Sequence, residues 1–151
     1  MRRPDRDGRL LIHRALGSSA CLGAVKLLVQ GNTNCARVPD QEGMLPLHIA
    51  CECATAGVVR YLVELDDTTN IISAKQGSPL HHACHAGNCE AVNYLLDRQV
   101  ASVSERNTKG KLPIHLLCDA ANERRGLRDT PLYVETIWRL LLAYPETVVN
   151  W

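Results

Sequence analysis

Residues 77–89 read GSPLHHACHAGNC and hold the densest chemistry in the chain: His81, His82, Cys84, His85 and Cys89. Imidazoles and thiolates are zinc's preferred ligands, and a thiol beside an imidazole can form an activated nucleophile. Each use has geometric demands. Structural zinc wants two ligand pairs converging tetrahedrally from separated segments, whereas these five residues share one segment. His82 and His85 would lie one helical turn apart, and His81, Cys84 and His85 would share a helical face. A thiolate nucleophile needs an accessible, electropositive pocket and a third group to orient its base. The choice depends on the elements that carry the cluster.

Those elements repeat. Four stretches align: DRDGRLLIHRAL from Asp5, DQEGMLPLHIAC from Asp40, SAKQGSPLHHAC from Ser73 and NTKGKLPIHLLC from Asn107. Their histidines, His13, His48, His81 and His115, are 35, 33 and 34 residues apart. A fixed period of this size signals a solenoid. From the apolar residue before each histidine runs an i, i+3, i+4 stripe that marks a short helix: Ile12, Ala15, Leu16; Leu47, Ala50, Cys51; Leu80, Ala83, Cys84; Ile114, Leu117, Cys118. A second stripe follows in each unit: Ala24, Leu27, Leu28; Val59, Leu62, Val63; Val92, Leu95, Leu96; Ile137, Leu140, Leu141. Pro46, Pro79 and Pro113 stand where the first helix should begin, a position that tolerates a missing N–H. Each unit therefore reads as turn, short helix, turn, longer helix, in an all-α chain.

The motifs SPLHHA at 78–83, LPLHIA at 45–50 and LPIHLL at 112–117 resemble the T-P-L-H-x-A signature of the ankyrin repeats. Gly87 matches the glycine that closes the family's first helix, and Gly31 the one that closes its second. Four in-register copies make the resemblance specific. It implies an ankyrin-repeat solenoid: stacked helix-turn-helix units joined by β-hairpin-like turns, in one domain over 1–151 with repeats near 5–39, 40–72, 73–106 and 107–151. The chain departs from the signature in places. The family's threonine is Leu10, Leu45 and Leu112, so its hydroxyl bond to the signature histidine is expected only at Ser78. Leu11 replaces the first proline, and Ser19 and Ala54 replace the glycine after the first helix. The fourth repeat carries an insertion, residues 122–133, between its helices; Thr130 reads as an N-cap and Pro131 as the start of its second helix.

The repeat gives the His/Cys cluster a simpler reading. His81 is the signature histidine, present three more times with no cluster around it. Cys84 shares a core slot with Cys51, Cys118 and Leu16, where a thiol packs as a small hydrophobe. Cys89 opens a helix. We expect no metal site, no catalytic residues and no cofactor; zinc held by residues 81–89 is the remote alternative.

Net charge is +1, which supplies no global field for nucleic acid or an anionic membrane. No run approaches the ~18 apolar residues of a membrane span, and the N-terminus lacks a secretory h-region. Seven cysteines in apolar patterns point to reduced thiols and an intracellular, cytoplasmic setting. The resemblance implies a non-enzymatic protein-interaction module whose turn tips and first helices line a concave groove. Its register assigns as partner contacts Arg6, Asp7, Arg9 and Ser18; Gln41, Glu42, Met44 and Glu52; Lys75 and His85; and Thr108, Lys109, Lys111 and Asp119. Repeat two contributes acid to that groove, and repeats three and four contribute base, which would suit an acidic partner segment. The partner is another protein, not nucleic acid or membrane. The alternative is a structural spacer within a longer multi-repeat protein. CLGAVKLLVQ in repeat one is apolar nearly all round, unlike a polar capping repeat, so an unsealed end is expected to stack on further repeats or self-associate.

Overall fold

A computed structural model of the chain describes residues 4–6, 8–18, 21–53, 55–65, 77–98, 103–124 and 126–143. The described residues form eight α-helices: α1 Leu11–Gly17, α2 Leu22–Gly31, α3 Pro46–Cys53, α4 Ala56–Leu65, α5 Pro79–His85, α6 Cys89–Asp97, α7 Pro113–Glu123 and α8 Pro131–Ala143. A short 3-10 turn, Thr33–Arg37, follows α2. The odd helices stack as one layer, α1 on α3, α3 on α5 and α5 on α7. The even helices stack as a second layer, α2 on α4, α4 on α6 and α6 on α8, each also packing on its own odd partner. This is an all-α solenoid of helix pairs, each unit burying its apolar stripe against its neighbours.

The first-helix stripes form the core. Ile12, Leu16, Leu47, Ala50, Cys51, Leu80, Ala83, Cys84, Ile114 and Leu117 are all buried. The prolines begin α3, α5 and α7 as expected, and Pro131 begins α8. Thr130 accepts the Tyr133 N–H on its Oγ1 at 3.3 Å, acting as the N-cap of α8. The second-helix stripe of repeat one is shifted by one residue. Val25 and Val29 are buried, whereas Leu27 is 70% exposed. Apolar residues surround α2 almost completely, so periodicity alone could not choose its inward face.

The fourth-repeat insertion is anchored by Leu127, which packs against the core cluster. Gly87, after α5, adopts φ +66, and a β-carbon there would come within 2.8 Å of Leu127 Cδ2. Glycine is favoured at this position by its left-handed backbone, and any β-carbon there would also have to displace the tip of Leu127. Ser19 and Ala54, the other residues expected at this slot, lie outside the described residues.

Candidate functional site

Among the described residues, the turns of repeats one, two and four are held by an acidic or amide side chain at their first residue. Asp40 Oδ1 accepts the N–H groups of Glu42 and Met44, both at 2.9 Å. Asn107 Oδ1 does the same for Lys109 at 3.0 Å and Lys111 at 2.9 Å. Backbone bonds close the turns from Asp40 N–H to Met44 C=O and from Asn107 N–H to Lys111 C=O. Gly43 supplies the left-handed residue, φ +72. In repeat one, Asp5 Oδ1 accepts the Arg9 N–H at 2.8 Å, on the surface. An Asp or Asn three residues before a glycine was the sequence signal for these anchors.

The signature histidines tie the turns to the helices. Nδ1 of His13, His48 and His115 accepts the N–H of Leu10, Leu45 and Leu112 at 3.0, 3.0 and 3.1 Å. The backbone N–H thus takes the place of the family's hydroxyl in repeats one, two and four. Only Ser78 adds that hydroxyl, 2.8 Å from His81 Nδ1. With Nδ1 accepting, Nε2 carries the proton and donates to the following unit: His13 to Met44 C=O at 3.2 Å and His81 to Glu105 C=O at 3.0 Å. Burial lowers the pKa of His13 and His81, keeping these bridging imidazoles neutral.

Most of the assigned contact residues that are described gather at the two ends of the stack. Along the first two turn tips, Arg6 and Gln41 are exposed and linked, Gln41 Nε2 donating to Arg6 C=O at 2.9 Å. Arg9 spans the turns, 3.1 Å from Asp40 Oδ2 and 3.8 Å from the exposed Glu42. Burial works to raise the Asp40 carboxyl. The Met44 N–H, the Arg9 guanidinium and the Glu42 N–H together outweigh it and hold the pKa below the ordinary carboxylate value. At the other end, His85, Lys109, Lys111 and Asp119 line one open concavity of about 420 Å³ with Leu116, Asn122 and Glu123. Turn four therefore meets α5 and α7 in a single surface. Inside it Lys111 Nζ is 2.6 Å from Asp119. Ser18 and Thr108 are exposed. Asp7 and Lys75 lie outside the described residues.

One residue departs from its assigned role. Met44 is a correction: only 2% exposed, its side chain joins the core and leaves the groove to its polar neighbours. An apolar side chain at a turn's last residue gains more from the core than from solvent. Glu52 is half-buried and accepts from His82, Nδ1 to Oε1 2.7 Å. His82 is fully buried between α3 and α5, with its ring 5.0 Å from that of His48 in an edge-to-face arrangement. The two residues are 30 apart in sequence, and no local pattern announced the pair.

The His/Cys cluster of the α5 region disperses. His81 serves the turns, His82 binds Glu52, His85 faces the groove, and Cys84 sits in the core. Burial, then the neighbouring thiols Cys89, Cys51 and Cys118, push the Cys84 pKa up; burial also raises Cys51, Cys89 and Cys118. Such thiols are protonated, packing groups at neutral pH. Among the described residues no three His, Cys, Asp or Glu side chains are grouped as metal ligands, and no helix is long and apolar enough to cross a membrane.

The described residues form a helical-repeat scaffold with polar side chains along its turn tips and first helices. Comparison with known proteins narrows the class. Residues 77–108 match the family model Ankyrin repeat. The chain is 31% identical over 121 residues to the ANK repeat-containing protein nipk-1 of Caenorhabditis elegans, covering 78% of this chain and 19% of that protein. It is 25% identical over 150 residues to the probable 26S proteasome regulatory subunit p28 of Saccharomyces cerevisiae, covering 97% and 60%. Identity to alpha-latrotoxin-Lh1a of Latrodectus hasselti is 28% over 112 residues, 72% of this chain but 8% of the toxin. The chain thus spans only a small part of the latrotoxins and of nipk-1, and less than two thirds of p28. It belongs to the ankyrin-repeat family, whose members generally mediate protein–protein interaction and are typically non-catalytic.

Proposed function

We propose that the chain is a non-catalytic binding module, one domain of four repeats, that holds an extended protein segment along the groove formed by its turn tips and first helices. The observation that carries this reading is the shared concavity of His85, Lys109, Lys111 and Asp119. It draws on three separate elements, and Asn107 and the His81 bridge hold the turn that supplies the lysines. Lys109 is exposed, and its ammonium has no side-chain partner among the described residues. It is more available to a partner carboxylate than Lys111, which is committed to Asp119. At the other end Glu42 is exposed beside Arg9. A partner with an acidic group over repeats three and four and a basic group over repeat two would complement this order. Seven free thiols suit a reducing, intracellular setting.

The test is paired capture from lysate of the source cell. A groove variant, His85→Glu with Lys109→Glu, is compared with an outer-helix variant, Glu64→Lys with Glu90→Lys. All four positions are exposed, so folding should survive. The reading expects a protein retained by the wild type and the outer-helix variant and lost by the groove variant. Loss only in the outer-helix variant would refute it.

A further inference from the structure

Successive even helices meet through one repeating rung. On α6 the residues that face α8 are Cys89, Asn93 and Asp97, spaced by four. Cys89 lies beside Thr136, Asn93 Nδ2 donates to Thr136 Oγ1 at 2.9 Å, and Asp97 pairs with Arg139. Arg139 also donates to Asn93 Oδ1 at 3.1 Å. One repeat earlier, the counterpart of Asn93 is Arg60, whose guanidinium lies 5.2 Å from the centre of the Tyr94 ring. Before that, Lys26 lies 5.5 Å from the centre of the Tyr61 ring. Lys26, Arg60 and Asn93 thus each reach forward to Tyr61, Tyr94 and Arg139.

Aligning the buried Leu95 with Leu140 gives the corresponding face of α8: Val134, Trp138 and Leu142. All three are apolar, and they are 60, 63 and 66% exposed. The same register identifies the receiving position on the opposite edge. The counterpart of Tyr61, Tyr94 and Arg139 in the first repeat is Leu27, exposed at 70%. Beside it, in the odd layer, Leu11 occupies the slot of Pro46, Pro79 and Pro113. The prolines are buried, whereas Leu11 is 67% exposed. The rung is polar or cation–aromatic at every internal interface. On the two faces turned away from the other described repeats it becomes apolar, with Trp138 on the α8 side and Leu27 on the α2 side.

We propose that these edges bind each other: a second copy of the chain stacks head to tail, its Leu27 over Trp138 and its Leu11 against the end of the odd layer. The contact continues the repeat-to-repeat packing already present three times within the chain. It takes the exposed side chains of Val134, Trp138, Leu142, Leu27 and Leu11 out of water. Because the two surfaces differ, the contact is heterologous and does not close on itself, so assembly is open-ended.

Sedimentation velocity over a wide range of protein concentration tests this, with Trp138→Glu and Leu27→Glu as variants. Both side chains are exposed, and unchanged far-UV circular dichroism checks the fold. The wild type should show a weight-average mass that climbs past the dimer as concentration rises. Each variant alone should stay monomeric, because each has lost one of the two edges. Introducing both substitutions into one chain should also give a monomer. Joined through their intact edges, equal amounts of the two single variants should form a dimer and nothing larger. A wild type that remains monomeric at every concentration would overturn the proposal. So would a dimer retained by Leu27→Glu alone, which would mean that the α8 face pairs with itself.

Discussion

Asp40→Ala is the substitution that most directly probes how the groove is held. Asp40 is buried and accepts two backbone N–H groups at 2.9 Å and the Arg9 Nε at 3.1 Å. Alanine leaves the buried Met44 N–H without its charged acceptor, and hydrogen bonds to charged groups are worth about 1.5–3 kcal/mol each. The Glu42 N–H can turn to water and recover part of its loss. The Arg9 pair is half-exposed and adds little after solvent screening. The net cost is about 2–4 kcal/mol. At a urea slope near 2 kcal/mol/M this lowers the denaturation midpoint by about 1–2 M. Two companions sharpen the reading. Asp40→Asn should cost only about 1 kcal/mol or less, because Asn107 makes the same two bonds with an amide oxygen. Asp5→Ala removes the same device from an exposed turn and should cost about 0.5 kcal/mol. If Asp40→Asn proved as damaging as Asp40→Ala, or if alanine were tolerated at Asp40, the turn-anchor argument would be wrong.

Three further outcomes are expected. Gly87→Ala should cost about 2–3 kcal/mol, about 1 from the left-handed backbone and the rest from the clash with Leu127. In a Leu127→Ala background the added cost should fall to the backbone part, a difference that a double-mutant cycle in urea measures. Ser78→Ala should cost under about 1 kcal/mol, since the Ser78 N–H still reaches His81 Nδ1 at 3.3 Å; His81→Ala, which cuts the bridge to Glu105, should cost clearly more in the same melts. Stability should also fall in acid. Burial depresses the pKa of His13 and His81 below their ordinary 6.5. The unfolded chain therefore binds protons first, and these imidazoles' contribution, full above 6.5, is lost as pH drops through their folded values. Asp40, held below 3.8, adds a second loss as pH falls through its own folded value. Urea midpoints that stay level or rise between neutrality and about pH 5 would contradict this.

The sequence pattern was most informative where side-chain type and spacing had only one structural use. The recurring histidines and the prolines at helix starts located the odd helices and their inward stripes. Pattern failed where chemistry was uniform: α2 is apolar on nearly every side, so Leu27 read as core while Val25 and Val29 took that place. It also failed where a position's direction depended on the residue occupying it. The family register aims the residue at Met44 into the groove, but a methionine there turns into the core. The His82–Glu52 contact joins residues on neighbouring repeats, which periodicity could superimpose but not pair. Asp40 and Asn107 were legible in principle from the turn glycines that follow them, as residues that hold the groove rather than contact a partner.

In the proposed function the partner lies along the turn tips and first helices. A photo-crosslinking residue placed singly at Glu42, His85 and Lys109, and for comparison at Glu64 and Glu90 on the even helices, tests it most directly. All five positions are exposed. Crosslinks to one partner are expected from the first three positions and none from the other two. Crosslinks confined to Glu64 and Glu90 would place the partner on the outer layer and contradict it.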